Sequence, residues 1–265
     1  MKKAKNLNAA KYRIERLKSR IRSNKQTAAS WQAYEEELRE MSIRQAWHRD
    51  RLYEEYDVIF RGGLSDFFGK KTTIRNVFLM LSNGGKKEIT ILEDGAGDGK
   101  FLSTAKQNLT REGIKCRTIA LSLHKNQKLK EAEKRGLIDK AVKGMAEFYL
   151  PKKPVSMVVA LFGSTAYTLQ SLRKDHVLKF ALSLEKGGIM MVGFRFFSGK
   201  ISRLDVISKG LSAYPIDERR LDIETEMAGV ERAFQKKGFR AKFYKFNNYM
   251  LEAPPNYILI VQRER

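Results

Sequence analysis

The sequence predicts an α/β fold: a doubly wound, mostly parallel seven-stranded sheet with an antiparallel end, preceded by an N-terminal helical extension. Three observations carry this expectation. In Ile89-Thr-Ile-Leu-Glu-Asp-Gly-Ala-Gly-Asp-Gly-Lys-Phe101 a short apolar segment feeds an acidic glycine turn and then a helical pattern. From residue 88 onward, strand-like and helix-like patterns alternate. Residues 156–161 are apolar throughout after Ser156, as expected of a parallel strand covered on both faces.

Residues 1–87 are the predicted extension and 88–265 the α/β domain. Residues 1–30 hold ten Lys or Arg and a single acid, Glu15. Ile14, Leu17 and Ile21 recur at helical spacing, which predicts a basic amphipathic helix. Lys11, Arg13, Arg16, Lys18 and Arg20 are its candidate RNA contacts. Binding to an anionic surface and a cleaved transit peptide are competing readings, the latter disfavoured by the few serines. Residues 30–60 read as helical, with Ser30 as a cap and Tyr34, Leu38, Met41, Leu52 and Tyr56 continuing an apolar stripe. Trp47 and His48 fall in this region, and His48 has no partner at metal-ligand spacing. Residues 61–73 read as a loop, and a helix follows near 74–81, ending at Gly84-Gly85.

In the α/β region strands are predicted at 89–93, 118–123, 141–143, 156–161, 189–194, 240–246 and 257–261. Phe101, Leu102, Ala105 and Leu109 share a helical face, with Gly113 as a stop. A second helix is expected at 126–135. A third carries Val177, Phe180, Ala181 and Leu184 and ends at Gly187-Gly188, and a fourth carries Met227, Val230 and Phe234. A short Pro-containing connection between the last two strands suggests the antiparallel end.

Composition narrows the classes. A chain of 265 residues with 42% apolar content supports one main domain plus an appendage. No apolar run is long enough to span a bilayer, so no integral membrane association is expected. The N-terminus lacks an apolar leader segment, and Cys116 is the single cysteine. That excludes an intrachain disulfide and a multi-cysteine metal site, and it points to a reducing, cytoplasmic setting with Cys116 buried in the sheet. The net charge of +22 favours a polyanionic partner, nucleic acid first and an anionic membrane second. No metal is expected.

The glycine turn is the most specific signal. A strand leading into such a turn and then a helix N-terminus is a nucleotide-type cradle. The third glycine, Gly99, follows Gly97 by two residues, whereas a dinucleotide fingerprint wants three. This spacing, with Glu93 at the strand end, resembles motif I of the class I S-adenosylmethionine (SAM) methyltransferases. Glu185-Lys-Gly-Gly-Ile-Met-Met191 resembles the family's passage into strand five, Phe234-Gln-Lys-Lys-Gly-Phe239 its turn into strand six, and Leu161-Phe-Gly-Ser-Thr165 the loop after strand four. The resemblance covers residues 88–265.

The resemblance implies a SAM cofactor. Gly95, Gly97 and Gly99 would wall its methionyl end, with their N–H groups turned to its carboxylate. Glu93 would hold the ammonium group, with Asp94 or Asp98 sharing that work. Ser122 falls where the family usually grips the ribose with an acid, and Met145, beside Ala146, where an acid often meets the adenine amine, with Glu147 just beyond. Ser156 likewise replaces an acid in strand four, and Phe162 in the following loop would line the methyl-transfer site. The methionyl side of the pocket is thus expected intact and the nucleoside side weakened.

No catalytic base emerges from the pattern. The Asn/Asp-Pro-Pro-aromatic motif for amine targets is absent after strand four, Cys116 precedes strand two, and Ser156 removes the acid that ribose methylation would use. His124 follows strand two, and His176 falls on the polar side of its helix and is expected to be solvated. The segment 194–223 would overhang the crevice. It mixes Arg195, Lys200 and Arg203 with aromatic residues, which suits RNA. The leading expectation is a SAM-dependent methyltransferase acting on RNA or a ribonucleoprotein such as the ribosome. Its rivals are a non-catalytic, methyltransferase-like RNA-binding or assembly factor and a methyltransferase acting on a protein or small molecule.

Overall fold

In a computed structural model of the chain, residues 2–23, 28–29, 31–32, 53–83, 88–123, 125–161, 170–194, 223–246 and 257–264 are described. Three N-terminal helices come first: α1 (Lys2–Ser23), α2 (Tyr53–Phe68) and α3 (Ile74–Ser82). Alternation follows: β1 (Glu88–Asp94), α4 (Lys100–Arg111), β2 (Lys115–Ser122), α5 (Gln127–Lys134) and β3 (Lys140–Lys143). The chain then returns through β4 (Val155–Ala160), α6 (Gln170–Leu182), β5 (Leu184–Phe194), α7 (Ile223–Gln235), β6 (Phe239–Lys245) and β7 (Tyr257–Arg263).

The strands form one seven-stranded sheet in the order β3-β2-β1-β4-β5-β7-β6. Pairing is parallel from β3 through β5, and β7 runs antiparallel to both β5 and β6. The expected doubly wound sheet with an antiparallel end is therefore the fold. Helices α2, α3, α4 and α5 cover one face, and α1, α6 and α7 cover the other. The two-residue period of the strands divides the core accordingly. Ile89 and Ile91 pack with α2, α3, α4 and α5, whereas Leu92 packs with α6 and α7. On the first face Phe60, Phe67, Phe78 and Phe101 are buried, each contributing about 1.5–3 kcal/mol of transfer free energy.

Several boundaries differ from expectation. The loop expected over 61–73 is helical as far as Phe68, because α2 runs through Gly62-Gly63. Helical glycines cost about 1 kcal/mol each, but here Gly63 allows close approach to the sheet. A Cβ there would lie 2.5 Å from Ile258 Cδ1 on β7. Asp57 of the same helix accepts the backbone N–H of Ile74 at 2.8 Å and so links α2 to the start of α3. Thr73 and Asn76 complete a capping box at that start. Strand β2 begins at Lys115, so Cys116 lies within it, buried, and not before it. Helix α6 ends at Leu182, and Leu184 and Gly187-Gly188 belong to β5.

Helix α1 is not an appendage beside a complete core. Ala10, Ile14 and Leu17 are buried, and Ala10 belongs to the core of the second sheet face. Trp31, just beyond, lies 5.3 Å between ring centroids from Phe148. Helix α6 is consequently enclosed between the sheet and α1, so His176, expected in solvent, is fully buried. The proposed boundary at 87/88 borders residues outside those described, and the helices on either side of it share one apolar core.

Candidate functional site at the β1–β4 switch point

Strand order reverses between β1 and β4, since β2 continues to one side and β4 and β5 to the other. In open α/β sheets the ligand crevice lies at such a point, outside the carboxyl ends of the strands. The parallel register brings those ends together: Asp94 pairs with Leu121 on one side and Ala160 on the other, and Ser122 pairs with Lys143. The sequence candidates Glu93, Asp94, Gly95, Gly97, Gly99, Ser122 and Met145 all fall on this edge.

The turn after β1 has left-handed backbone at Gly95, Gly97 and Gly99, with φ of 81°, 52° and 80°. L side chains rarely adopt such angles. At Gly99 the space is also occupied, since a Cβ would lie 3.1 Å from Leu129 Cδ1. The left-handed backbone therefore favours glycine here, and Leu129 of α5 leaves little room for a Cβ. The expectation that all three glycine N–H groups face a ligand needs correction. Gly95 donates to the Leu121 carbonyl at 2.9 Å and Gly99 to the Ala96 carbonyl at 2.7 Å.

Glu93 and Asp94 diverge because consecutive strand residues point to opposite faces. Glu93 is buried toward the first face, where the Tyr56 hydroxyl of α2 donates to its Oε1 at 2.5 Å. Tyr56 stacks on Phe101 in the first turn of α4 (centroids 4.2 Å apart, 21° between planes), and Tyr53 stacks on the same ring at 5.8 Å and 12°. Burial and Asp57 push the Tyr53 phenol well above its ordinary value. A helix from the N-terminal region thus holds the acid of the turn. The sequence reading missed Tyr53, and it placed Tyr56 only in an apolar stripe. Their spacing of three before the buried Phe60 was the available signal.

Asp94 faces α6 and is buried. There Lys179, fully buried, donates to the carbonyl oxygens of Ala146 and, at 3.3 Å, Glu147. Its ammonium lies 3.8 Å from the Phe180 ring centroid. Burial pushes its pKa down to about 7, against the raising fields of Glu147 and Asp94. His176 Nδ1 is 4.0 Å from Glu147 Oε1, and burial with the nearby Lys179 holds this imidazole well below its usual range. Ala146 is fully buried with its carbonyl engaged by Lys179, so its side chain is part of the core on this face. Lys179 anchors the segment after β3, a role that the sequence offered no spacing to reveal.

The remaining candidates have local partners. Asp98 accepts from Asn126 Nδ2 at 2.6 Å and lies 3.1 Å from Lys128 Nζ, while Asn126 also caps α5. Asp98 thereby ties the turn to α5. Ser122 closes β2, and its carbonyl accepts from Gly144 at 3.0 Å. Ser156 is buried inside the sheet, accepting from Thr90 N–H at 3.0 Å and donating to Glu185. Burial pushes the Cys116 thiol up to about 12, which leaves it inert as a nucleophile. Among the described residues no His, Cys, Asp and Glu are grouped as metal ligands, and no helix is long and apolar enough to cross a membrane. Trp47, His48, His124, Phe162, Arg195, Lys200 and Arg203 lie outside the described residues.

The candidate RNA contacts on α1 are differently placed. Arg13, Arg16 and Arg20 converge on Asp175 of α6, at 2.5, 3.2 and 3.3 Å. Lys18 pairs with Glu15 at 2.8 Å, and Lys11 is exposed. Arg13 is thus largely an intramolecular partner, which the expectation of a basic helix with Arg13 as an RNA contact did not include.

No protein-family model and no curated protein matches the sequence. Solved structures do show likeness. SAM-bound CalS10, an amino pentose methyltransferase from Micromonospora echinaspora, shares 10% identity over 72% of this chain and 89% of its own, with a TM-score of 0.44. DesVI from Streptomyces venezuelae shares 20% identity over 79% and 97%, with a TM-score of 0.44. The CMeT domain of the citrinin polyketide synthase shares 15% identity over 67% of this chain, which spans only 47% of that chain, with a TM-score of 0.45. At these identities and TM-scores the likenesses assign no activity or ligand to this chain.

Proposed function

We propose that the chain is a SAM-dependent methyltransferase whose cofactor lies against the turn after β1, and whose substrate is RNA or a ribonucleoprotein. The observation that carries the cofactor reading is Glu93, a buried carboxylate at the end of β1 oriented by the Tyr56 hydroxyl beside a left-handed glycine turn. That carboxylate acceptor beside a glycine turn fits a ligand with an ammonium group and a flat approach to backbone. Glu93 would hold the ammonium, Gly97 would admit the methionyl chain, Ser122 would face the ribose, and Met145 the adenine. SAM supplies a sulfonium-bound methyl group, so the protein's task is alignment with a nucleophile more than acid–base work. The net charge of +22 supports a polyanionic substrate.

Ser122 favours a second reading, a methyltransferase-like RNA-binding factor without catalysis. A serine hydroxyl cannot grip a diol as a carboxylate does.

Calorimetric titration with S-adenosylhomocysteine separates the two. The wild type is expected to bind, and Glu93→Gln, which keeps the acceptor for Tyr56, to bind at least about tenfold more weakly, the scale of a hydrogen bond to a charged group. Ser122→Asp should tighten binding by about 1–2 kcal/mol. Substitution at Gly97 is a poor test, since its φ of 52° strains any branched residue. A wild type that does not bind would leave the non-catalytic reading. Label transferred from methyl-labelled SAM to protein or small molecules, and not to RNA, would replace the substrate.

A further inference from the structure

Three guanidinium groups of α1 meet one carboxylate of α6, and this excess sets the cluster apart from an ordinary ion pair. The Asp175 side chain is 3% exposed, and Arg13, at 16%, lies beside it at 2.5 Å. One largely covered arginine is enough to neutralise one buried aspartate. Arg16 and Arg20 are nevertheless drawn to the same carboxylate, at 3.2 Å through Nε and 3.3 Å through Nη1. Their side chains remain 48% and 43% exposed. A guanidinium carries five N–H donors in a rigid fork, so a contact through one nitrogen fixes the group and leaves other donors facing outward. The cluster therefore presents two surplus positive charges, held in place before any ligand arrives.

We propose that Arg16 and Arg20, held by Asp175, form a phosphate clamp that takes the backbone of an RNA strand. The proposal rests on the RNA part of the function proposed above and not on methyl transfer. Two further features of α1 favour RNA over an anionic membrane. First, among the described side chains of α1 the apolar stripe is already used: Ala10, Ile14 and Leu17 are buried against the protein and not free to enter a lipid interface. Second, Tyr12 is 64% exposed and lies four residues before Arg16 on the same helix face, with exposed Lys11 beside it. An exposed ring next to cationic groups suits stacking on an unpaired base.

The clamp is also on the useful side of the molecule. Helix α6 connects parallel strands β4 and β5, so it starts from the carboxyl edge and returns to the amino edge. Asp175 lies in its second turn, near the carboxyl edge that holds the candidate cofactor site. A strand bound by the clamp would therefore pass along the flank of that crevice.

The test is titration of the full-length chain with a single-stranded RNA at several salt concentrations, comparing wild type with the double variant Arg16→Gln/Arg20→Gln. Arg13 is kept so that Asp175 is not left as an unpaired buried charge. The variant should melt like the wild type and bind roughly tenfold or more weakly at 0.1 M salt. Its log–log salt slope should be smaller by about 1.4, two single-strand phosphate contacts at about 0.7 each. Bound RNA should also shield Arg16 and Arg20 of the unmodified chain from phenylglyoxal, a readout that requires no variant. Equal affinity and slope in the two proteins, or unshielded arginines in the complex, would overturn the clamp while leaving RNA binding in place. A wild type that binds phosphatidylserine vesicles but no RNA would overturn it in favour of a lipid partner. S-adenosylhomocysteine affinity, measured on the same preparations, reports separately on the cofactor reading.

Discussion

The two faces of the sheet are built by different rules. On the first face α2, α3, α4 and α5 each present one apolar stripe and leave the opposite side in water, and the core is aliphatic and aromatic. Its main buried polar contact at the site is the Tyr56–Glu93 hydrogen bond. On the second face α6 is covered twice, by the sheet beneath and α1 above. Asp175, His176 and Lys179 are all buried there, together with Glu147 and Asp94. A helix with one dry side can leave its charges in solvent. A helix with two must pair them, because an isolated buried charge is costly. The second face therefore gathers its buried charges around one helix, whereas the first buries them singly, at Glu93 and Asp57.

The comparison can be broken in four ways, beginning with the largest effect. Phe101→Ala removes the ring on which Tyr53 and Tyr56 stack. It should cost about 3–5 kcal/mol in denaturant unfolding, with little dependence on pH. A loss below about 1 kcal/mol would mean that the first face is loosely packed around this ring.

Lys179→Met tests the second face by leaving Glu147 buried without its neighbouring cation. It should cost about 3 kcal/mol. The double variant Lys179→Met/Glu147→Gln should recover most of that loss, because both charges are then gone. If single and double variants lose the same stability, the two groups do not interact, and the lysine acts through packing alone.

The pH dependence follows from the same residues. Folded Lys179 gives up its proton near pH 7, whereas in the unfolded chain it holds it to about 10.5. Between these values the unfolded state binds more protons, so stability should rise with pH across the window from 7 to 10.5. His176 adds a second loss on acidification. Below about pH 6.5 the unfolded imidazole takes up a proton that the buried one resists. Melting temperatures measured across this range should show the upward trend, and Lys179→Met should flatten it above pH 7. A wild-type curve flat from 7 to 10 would place Lys179 in a wetter environment than its burial suggests.

The smallest effect belongs to Tyr56→Phe. The ring stays stacked and only the hydroxyl is lost, so stability should fall by about 1 kcal/mol. S-adenosylhomocysteine affinity should fall as well, because Glu93 loses the donor that orients it. Unchanged affinity with the expected stability loss would make the Tyr56 hydroxyl purely structural.

Much of the first face was legible in the sequence. The strand, the glycine turn and the apolar positions of α4 are local patterns of period two and 3.6, and each element's pattern survived packing. The alternation from residue 88 implied a doubly wound sheet, and parallel crossovers then limit the strand order to few choices. The candidate site was legible to the same extent. Glu93, Asp94 and Ser122 close their strands and Met145 follows β3 by two residues, and parallel strands put their ends on one edge. What failed was any reading that needed to know a helix's second neighbour. His176 looked solvated because the stripe through Val177, Phe180 and Ala181 accounts for only one side of α6.

The sequence by itself determined the period of each element, the left-handed turn after β1 and the sign of the surface, because these depend on residues within about one turn of one another or on composition alone. Only the tertiary structure decided which charges leave the solvent. Arg13 meets Asp175 across 162 positions of chain, and Tyr56 meets Glu93 across 37. No local pattern encodes such meetings. They arise because α1 and α2 pack over surfaces that other segments build, and burial there turns exposed-looking polar residues into paired groups.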